Sequence, residues 1–411
     1  MPKAKEGKRK TKGALLPIPI LQKFLKTYEK YCAQSQTSVC PAIKKDLKKS
    51  IDSERILKKF TLVKPTSPRI VPPISLEPLL MTIRDECYKL GKEMCIWGFQ
   101  LSNPEVARLA LFLESKGHTT CPFTTLEIVD CKMDLWSLER LGKALQLSSL
   151  RSLVLDYCKF GNEEIESVLS GLENNQSLYG LSLRFCGLGP WSGSKLGSII
   201  SQSAICELYL DGNSLLCSGA LALLRPIAEY AEMKEKDGMA SPASPDTATP
   251  SQLLQMSQRG SSVLSQTAKS SEAGTAKTTL GKKKNKKGIK KKAKALAEAG
   301  PWLVKLHLAD NGIDGKEGEH LVEFTRILTC LIRFSAHLRE VDLGSNALGE
   351  MAAADILQAL RARKTGKLPI LKITVTPQIS SDTFTSIWKN SKKSKTKTIH
   401  KKKKKMAKTR I

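Results

Sequence analysis

One pattern recurs six times along the chain and restricts what it can fold into. The pattern is L-x-x-L-x-L-x-x-(N/C)-x-L, with other aliphatic or aromatic residues replacing some of the leucines. Its copies span residues 123–133, 150–160, 178–188, 205–215, 303–313 and 338–348. The Asn or Cys stands at 131, 158, 186, 213, 311 and 346, and the first three steps are 27, 28 and 27 residues. This spacing predicts a repeat architecture of similar units stacked in register.

Within each copy, the alternating aliphatic residues predict a short β-strand that ends at the Asn or Cys position. In the copy at 205–215, Leu208 and Leu210 point into the core and Tyr209 points outward. The chain then turns, and backbone groups in the turn face the interior, where they need hydrogen-bond partners. A buried Asn amide both donates and accepts, whereas a Cys thiol does so more weakly. We therefore expect a ladder of stacked Asn and Cys side chains.

The segments between these strands have the properties of helices. Asn103 followed by Pro104 predicts an N-cap and a first helical position, and Asp134 precedes the apolar-periodic segment LWSLERLGKAL. One strand and one helix per repeat give a curved α/β solenoid. In its motif and spacing, the chain resembles the leucine-rich repeat proteins, specifically the long, ribonuclease-inhibitor-like class. The resemblance covers residues 90–380 apart from one insertion, and it implies a curved leucine-rich repeat solenoid.

Atypical repeats are expected at the two ends of such a solenoid, where the outer face meets water. Residues 76–90 (LEPLLMTIRDECYKL) predict a helix that covers the first repeat. The apolar positions of that helix are Leu79, Leu80, Ile83, Cys87 and Leu90. Weak copies of the motif place Phe99 in the ladder position at 95–101 and Gln378 in the ladder position at 370–380.

Composition divides the chain into five predicted regions. Residues 1–75 are expected to be a mostly extended or disordered basic N-terminal region. Residues 76–232 contain the cap helix and first repeats, and 301–388 contain the C-terminal repeats and cap. Between them, residues 233–300 are rich in Ser and Pro and then in Lys, which predicts a disordered insertion. Residues 389–411 are a predicted disordered poly-lysine tail.

The net charge of +28 is concentrated in three short segments. Residues 3–12 contribute +5, residues 277–294 contain ten lysines and no acid, and residues 389–410 contain twelve basic residues and no acid. The rest of the chain carries about +1. Blocks of like charge favour contact with polyanions. The predicted polyanion-binding residues are Lys282, Lys283, Lys284, Lys401, Lys402, Lys403, Lys404 and Lys405.

Several acidic partners fit these lysine segments. Lys acts as a point charge, so the segments are expected to bind a polyanion electrostatically and not to read a nucleotide sequence. Nucleic acid and acidic protein tails, such as those of tubulin, both qualify. Anionic membrane is the weakest option, because no apolar anchor or lipidation motif accompanies the lysines. Solubility, nuclear import and nonspecific adhesion remain alternatives.

Other residue types argue against an enzyme, a metal site and a cofactor site. Eleven cysteines in a chain without a signal peptide indicate free thiols in a reducing compartment. The three cysteines of the ladder lack the CxxC or His/Cys spacing of zinc ligands. The five histidines form no triad or helical pair, and GKKKNKKGIK at 281–290 lacks the ending of a phosphate-binding loop. We expect no cofactor, no small-molecule substrate and no membrane span.

The outward-facing strand residues form the predicted partner-binding concave face. They comprise eight acids against Arg184 and Lys305, with Tyr157 and Phe185 in one column and Tyr209 beside it. An acidic groove with aromatic anchors suits a basic or amphipathic protein segment, although an ordinary solvated face is the alternative. The predicted contact residues are Glu127, Asp156, Tyr157, Phe185, Glu207, Tyr209, Asp211, His307, Asp310 and Asp342.

The leading functional hypothesis is a non-enzymatic protein–protein interaction scaffold, held by its lysine-rich tails on an acidic assembly such as microtubules or the axoneme. The resemblance supplies the ciliary or cytoskeletal setting, since leucine-rich repeat proteins of this kind include such members. The expected location is cytoplasmic, at the cilium or axoneme, with the nucleus as the alternative. The second hypothesis is a nuclear or nucleolar RNA-associated protein. A regulator of small GTPases is a third and weaker one.

Overall fold

The computed structural model describes residues 17–65, 72–115, 121–239, 303–376 and 379–391. Nine strands in these ranges alternate with helices along the chain. Strands β1 to β9 span Lys59–Val63, Glu93–Trp97, Thr125–Val129, Ser152–Val154, Gly180–Ser182, Glu207–Tyr209, Lys305–His307, Glu340–Leu343 and Lys372–Val375. Helices α1 to α11 span Pro17–Gln34, Pro41–Asp52, Glu77–Asp85, Asn103–Glu114, Leu135–Leu147, Asn162–Ser170, Trp191–Gln202, Leu216–Met239, Gly318–Phe334, Gly349–Thr365 and Ser381–Ser391.

The nine strands form one parallel sheet in chain order, from β1 at one edge to β9 at the other. Each strand after β1 pairs with the strand that precedes it in the chain, and the repeat motifs align across the pairs. Leu153 pairs with Leu181, Leu181 with Leu208, and Leu208 with Leu306. These leucines are fully buried, which confirms the predicted inward-facing column. Alternating strand–helix repeats on a parallel sheet are compatible with a leucine-rich-repeat-like solenoid.

The predicted Asn and Cys ladder is confirmed by its hydrogen bonds. The Asn213 amide donates to the carbonyls of Leu183 and Leu210 at 2.8 Å each. Its oxygen accepts the backbone N–H groups of Cys186 and Leu188 at 3.0 Å. The thiol of each ladder Cys donates to a carbonyl of an earlier repeat, as Cys186 does to Leu155 at 3.1 Å. Each ladder side chain therefore joins two neighbouring repeats.

A residue with positive φ precedes the ladder position in each repeat. The series is Gly98, Asp130, Tyr157, Phe185, Gly212, Asp310 and Ser345. The left-handed backbone turns the chain out of the strand and orients the following side chain inward. Glycine meets this demand without steric cost and Asp tolerates it, whereas Tyr157 and Phe185 are bulky residues in a conformation that disfavours them.

The prediction of a mostly extended or disordered region at 1–75 is wrong for its described residues. Helices α1 and α2 and strand β1 lie there, and β1 pairs with β2 along its full length. Phe24, Tyr28 and Phe60 are buried in the same core as the repeats. These apolar residues are interspersed with lysines, and β1 lacks the Asn/Cys motif. Neither composition nor motif therefore predicted folded elements in this region. The sheet therefore begins at Lys59, about thirty residues before the predicted start of the repeats.

The predicted cap helix at 76–90 is confirmed only over Glu77–Asp85, where Leu79, Leu80 and Ile83 are buried. Cys87 and Leu90 were predicted on its apolar face, but they follow the helix and are exposed. The first residue of the next helix, Asn103, is not its N-cap. Ser102 fills that position and forms a capping box with Glu105.

The two helices that flank the lysine segments continue beyond the predicted boundaries. Helix α8 reaches Met239, and β7 resumes the sheet at Lys305, paired directly with β6. Helix α11 reaches Ser391. Most of the predicted insertion at 233–300 and tail at 389–411, all eight predicted polyanion-binding lysines, and Gln378 lie outside the described residues. No helix within the described residues combines the length and apolar character needed to cross a membrane.

Candidate functional site

The open face of the sheet consists of the strand and turn side chains that point away from the buried leucines. Register places Ser182, Tyr209, His307 and Asp342 side by side on this face. A second row contains Glu207, Lys305, Glu340 and Lys372. The period-two alternation of the strands separates these polar rows from the core. The ten predicted contact residues all belong to this face or to its turns.

Arg184 is the central cation of the open face. Its Nε donates to the Asp211 carboxylate at 2.8 Å, and its Nη1 lies 3.7 Å from the Asp156 carboxylate. Its guanidinium carbon also lies 4.5 Å from the centre of the Tyr209 ring, within reach of a cation–π interaction. Arg184 thus neutralises two predicted contact acids and fixes a predicted contact ring.

Asp156 has a structural role on this face. Its side chain is buried and accepts hydrogen bonds from the Ser182 hydroxyl at 2.6 Å and the Arg184 backbone N–H at 3.0 Å. A carboxylate satisfied in this way connects β4 to the end of β5, and it offers a partner little accessible surface.

His307 lies between two carboxylates. Its Nδ1 is 3.6 Å from Asp211 and its Nε2 is 3.8 Å from Glu340, while its ring packs edge-on against Tyr209 at 4.7 Å. Burial raises the pKa of Asp211, but the nearby His307 and hydrogen bonds from the Arg184 side chain and the Ala309 backbone N–H outweigh it and hold that pKa below its usual range. Asp211 therefore remains ionised at the centre of this cluster.

The remaining strand acids are also paired with cations. Lys305 Nζ lies 2.9 Å from Glu207, which also accepts the Tyr209 hydroxyl at 2.8 Å. Lys372 bonds to Glu340, and Lys59 lies 3.5 Å from Glu127. Five of the eight predicted acids thus have cationic neighbours. Most acids along the strands are consequently paired with cations, among them Lys59 and Lys372, which the predicted acidic groove with Arg184 and Lys305 did not include.

Of the eight predicted acids, Asp130, Asp310 and Asp342 have no ion pair within the described part of the chain. Asp130 and Asp310 are exposed residues of the positive-φ turns. Asp342 accepts the Gly344 backbone N–H at 2.9 Å, within its own turn. The accessible negative charge therefore lies mainly at the turns, where the strands end.

Two aromatic side chains stand exposed at these turns. The rings of Tyr157 and Phe185 stack with their centres 4.7 Å apart and their planes 8° from parallel. Their residues are 51% and 39% exposed. A Cβ added to Gly212, the next residue of this column, would overlap the Phe185 ring, so the glycine provides the space in which that ring lies. The predicted aromatic column is confirmed for this pair, whereas Tyr209 packs separately with Arg184 and His307.

Three residues of the open face were missed in the sequence prediction. Lys59 and Lys372 supply cations from β1 and β9, strands that depart from the repeat motif. Trp97 is 45% exposed at the end of β2, in register with Val129. The strand period was the available signal. Met94 and Ile96 face the core at alternate positions, so the next residue, Trp97, is expected to face outward.

The cysteines near this face are suited to packing and not to chemistry. Burial, together with the neighbouring Glu127 carboxylate, raises the pKa of the Cys95 thiol to about 12. Burial likewise raises the pKa of Cys158 to about 12. Thiols with such values are protonated at neutral pH and are poor nucleophiles. Across the described ranges, no three His, Cys, Asp or Glu side chains converge as metal ligands.

Comparison of the chain with models of protein families found no match, and a search of curated proteins found no similar sequence.

Proposed function

We propose that this chain is a leucine-rich repeat protein of the ribonuclease-inhibitor-like class that works as a non-enzymatic scaffold. Its open face binds a protein partner, and its lysine-rich segments hold it on an acidic assembly such as microtubules or the axoneme. The setting is the cytoplasm and the cilium. The support for the class is the alternation of strands and helices, the in-register leucines and the Asn/Cys ladder.

The stacked Tyr157–Phe185 pair is the observation that carries partner binding. Both residues keep a positive φ that costs on the order of 1 kcal/mol each relative to glycine. Both rings are nevertheless substantially exposed instead of filling the core. Aromatic side chains on a rigid backbone are preferred anchors of protein interfaces, because they bury a large area at little entropic cost. Backbone strain of this kind concentrates at functional sites.

The charges around this pair favour a partner with its own cations. Asp130 and Asp310 project at the turns, while the strand acids are held by Arg184 and Lys305. A basic or amphipathic protein segment would place apolar side chains on the rings and basic groups near the turn acids. Such complementarity mainly improves specificity and association rate.

A double variant tests the role of the aromatic pair. The wild-type chain is expected to capture a defined set of proteins from ciliated-cell extract. We expect the double variant Tyr157→Ser, Phe185→Ser to capture this set much more weakly. The matched control replaces two exposed apolar residues on helices, Val322→Ser with Met351→Ser. Equal capture by both variants would contradict the open-face role, provided that circular dichroism shows both to be folded.

Microtubule co-sedimentation tests the tethering role. We expect the full chain to sediment with microtubules at low salt and to be released steeply as salt rises. A chain lacking 392–411 leaves α11 intact and should bind several-fold more weakly. Microtubules stripped of their acidic tails provide the control. Sedimentation unchanged by either treatment would contradict tethering, and tight salt-sensitive binding to RNA in its place would favour the nuclear alternative.

A further inference from the structure

The second helix of the chain carries a row of lysines on its solvent side. Ile43 and Leu47 bury the opposite side of α2 in the core. Lys44, Lys45, Lys48 and Lys49 lie together on the outer side, which we call the α2 lysine face. Their spacing of one and four residues places them in two adjacent rows along the helix. Asp52 lies at the end of this face.

The charge of this region is distinct from that of the rest of the folded chain. Residues 17–65 contain eleven basic residues and four acidic ones, a net charge of +7. Lys44 is paired with Glu29 at 2.8 Å. Lys45, Lys48 and Lys49 form no ion pair among the described residues. Like charges at i and i+4 destabilise a helix, so the arrangement has a cost that an anionic partner would remove.

We propose that the α2 lysine face is a binding site for an acidic polypeptide segment, rich in Glu or Asp and extended in conformation. Residues i and i+4 of a helix are separated by about 6 Å along its axis. Alternate side chains of an extended peptide are about 6.6 Å apart. Carboxylates at every second position of such a peptide therefore match the rows formed by Lys44 with Lys48 and by Lys45 with Lys49.

The surroundings favour an acidic protein over nucleic acid. Proteins that bind single-stranded nucleic acid combine cations with exposed aromatic rings, on which the bases stack. In this region Phe24, Tyr28, Phe60 and Tyr88 are buried in the core, and the partly exposed Tyr31 lies on α1 with its hydroxyl bonded to Asp85 at 2.6 Å. The cations that lack ion pairs on α2 are lysines, which act as point charges without the planar fork that Arg offers to phosphate. The face thus supplies positive charge without a stacking surface.

This site goes beyond the proposed tethering role, because it lies within a helix of the folded chain. The lysine segments at 277–294 and 389–410 are separate in sequence, so either role can fail without the other. Moreover, the α2 lysine face is rigidly placed by Ile43 and Leu47, so its contacts can be tested one position at a time.

Zero-length carbodiimide cross-linking of the full chain to an oligoglutamate peptide tests the site, with mass spectrometry to locate each linked lysine. Lys44 serves as the reporter. We expect its cross-link yield to fall on the order of tenfold when Lys45, Lys48 and Lys49 are replaced by Gln, because the exposed cations that attract the peptide beside Lys44 are lost. Replacement of the same three residues by Arg should restore the yield at Lys44, because the charge is kept.

The matched control removes equal charge elsewhere, through Lys401→Gln, Lys402→Gln and Lys403→Gln, and should leave the Lys44 yield unchanged. Circular dichroism verifies that the α2 variants remain folded. An unchanged Lys44 yield in the Gln variant, or cross-links confined to the lysine segments, would overturn the proposal. A competition experiment compares oligouridylate with unlabelled oligoglutamate of equal charge. If oligouridylate displaces the peptide from Lys44 more effectively, the occupant is nucleic acid and the proposal is wrong.

Discussion

At the scale of single residues, the ladder shows why Asn and Cys alternate at one position. Asn213 makes four hydrogen bonds to backbone groups of two repeats, whereas Cys158 makes one, to the Ile128 carbonyl at 3.3 Å. An amide can satisfy donors and acceptors at once, but a thiol in the ladder acts as a donor and a small apolar group. The turn at Cys186 is satisfied from outside its own repeat, because Asn213 accepts the Cys186 and Leu188 backbone N–H groups.

Replacement of Asn213 should separate these contributions. We expect Asn213→Ala to lower the free energy of unfolding by about 3 kcal/mol, because two backbone N–H groups and two carbonyls lose a buried partner. Asn213→Cys should lose less, since a thiol can still donate to the Leu183 carbonyl. Urea denaturation followed by circular dichroism measures both. Equal losses in the two variants would indicate that the thiol contributes packing alone.

Gly212 offers a test of the aromatic stack with a well-matched control. Gly212→Ala and Gly187→Ala introduce a Cβ at φ of 71° and 78°, so each should lose about 1 kcal/mol from backbone strain. Only the first Cβ meets the Phe185 ring, because nothing lies within 4 Å at Gly187. We expect Gly212→Ala alone to change the near-ultraviolet circular dichroism of Tyr157 and to impair partner capture. Identical spectra for the two variants would contradict the packing.

The sequence predicted whether a residue faces the core or the ladder where the residue type and its place in the repeat motif determine this. The inward leucines and the ladder follow from period and motif, and both are confirmed. The charge balance of the candidate site was not predictable in the same way. Arg184 reaches Asp156 and Asp211 from the strand between them, so the sign of the surface depends on cross-strand distances and not on counts of acids.

At the scale of elements, buried polar groups hold neighbouring helices and loops together. Arg363 of α10 is buried and donates to the carbonyls of Ile332, Ser335, Leu338 and Pro369, at 2.7–2.8 Å. Three of these acceptors lie at or just beyond the C-terminal end of α9, where carbonyls lack helical partners. Burial lowers the pKa of Arg363 to about 10, which leaves it charged at neutral pH.

We expect Arg363→Met to reduce the free energy of unfolding by about 3 kcal/mol, since the carbonyls at the end of α9 lose a charged donor. Arg363→Lys should retain part of the stability, because an ammonium group reaches fewer acceptors. Arg361→Met, an exposed change on the same helix, should stay within about 0.5 kcal/mol of wild type. Thermal and urea unfolding would measure these differences. A loss at Arg363 as small as at Arg361 would contradict the assignment.

Glu105 connects α3 to α4 and gives a pH dependence with a defined sign. It accepts the Leu76 and Ser102 backbone N–H groups at 2.9 and 3.0 Å. Burial raises the pKa of Glu105, but these hydrogen bonds and two Ser hydroxyls outweigh it, so the pKa is lowered from 4.5. A carboxylate with a lowered folded pKa contributes stability above its unfolded pKa. That contribution is lost as pH falls through the folded value.

We therefore expect the free energy of unfolding to fall as pH decreases below about 4.5, with Glu105 contributing part of the fall. Glu105→Gln should cost about 1–2 kcal/mol at pH 7 and reduce the difference between pH 7 and pH 3. Urea midpoints across this range would measure the effect. Glu163→Gln, on the exposed first turn of α6, is the control. Parallel pH curves for wild type and Glu105→Gln would contradict the role.

At the scale of the whole molecule, the sequence predicted the central repeats but not where the sheet begins. A motif identifies strands that end in the Asn/Cys ladder, and β1 is a strand that lacks it. Its neighbours α1 and α2 supply apolar residues at helical spacing among many lysines, which lowers their mean hydropathy without exposing Phe24 or Leu47. Tertiary burial, and not local composition, decides whether such a segment folds.

Two truncations test this boundary. A chain starting at Pro17 should unfold at the same temperature as the full chain, because every described element is kept.

A chain lacking 1–65 exposes the unpaired edge of β2 and removes the Phe60 ring, whose centre lies 5.7 Å from that of Tyr88 and 6.1 Å from that of Phe123. We expect this shorter chain to aggregate or to melt at much lower temperature, since an exposed edge strand pairs with other chains. Size-exclusion chromatography and thermal unfolding measure both. A monomeric product with an unchanged melting temperature would show that α1, α2 and β1 are dispensable to the core, which would restore the boundary near residue 76.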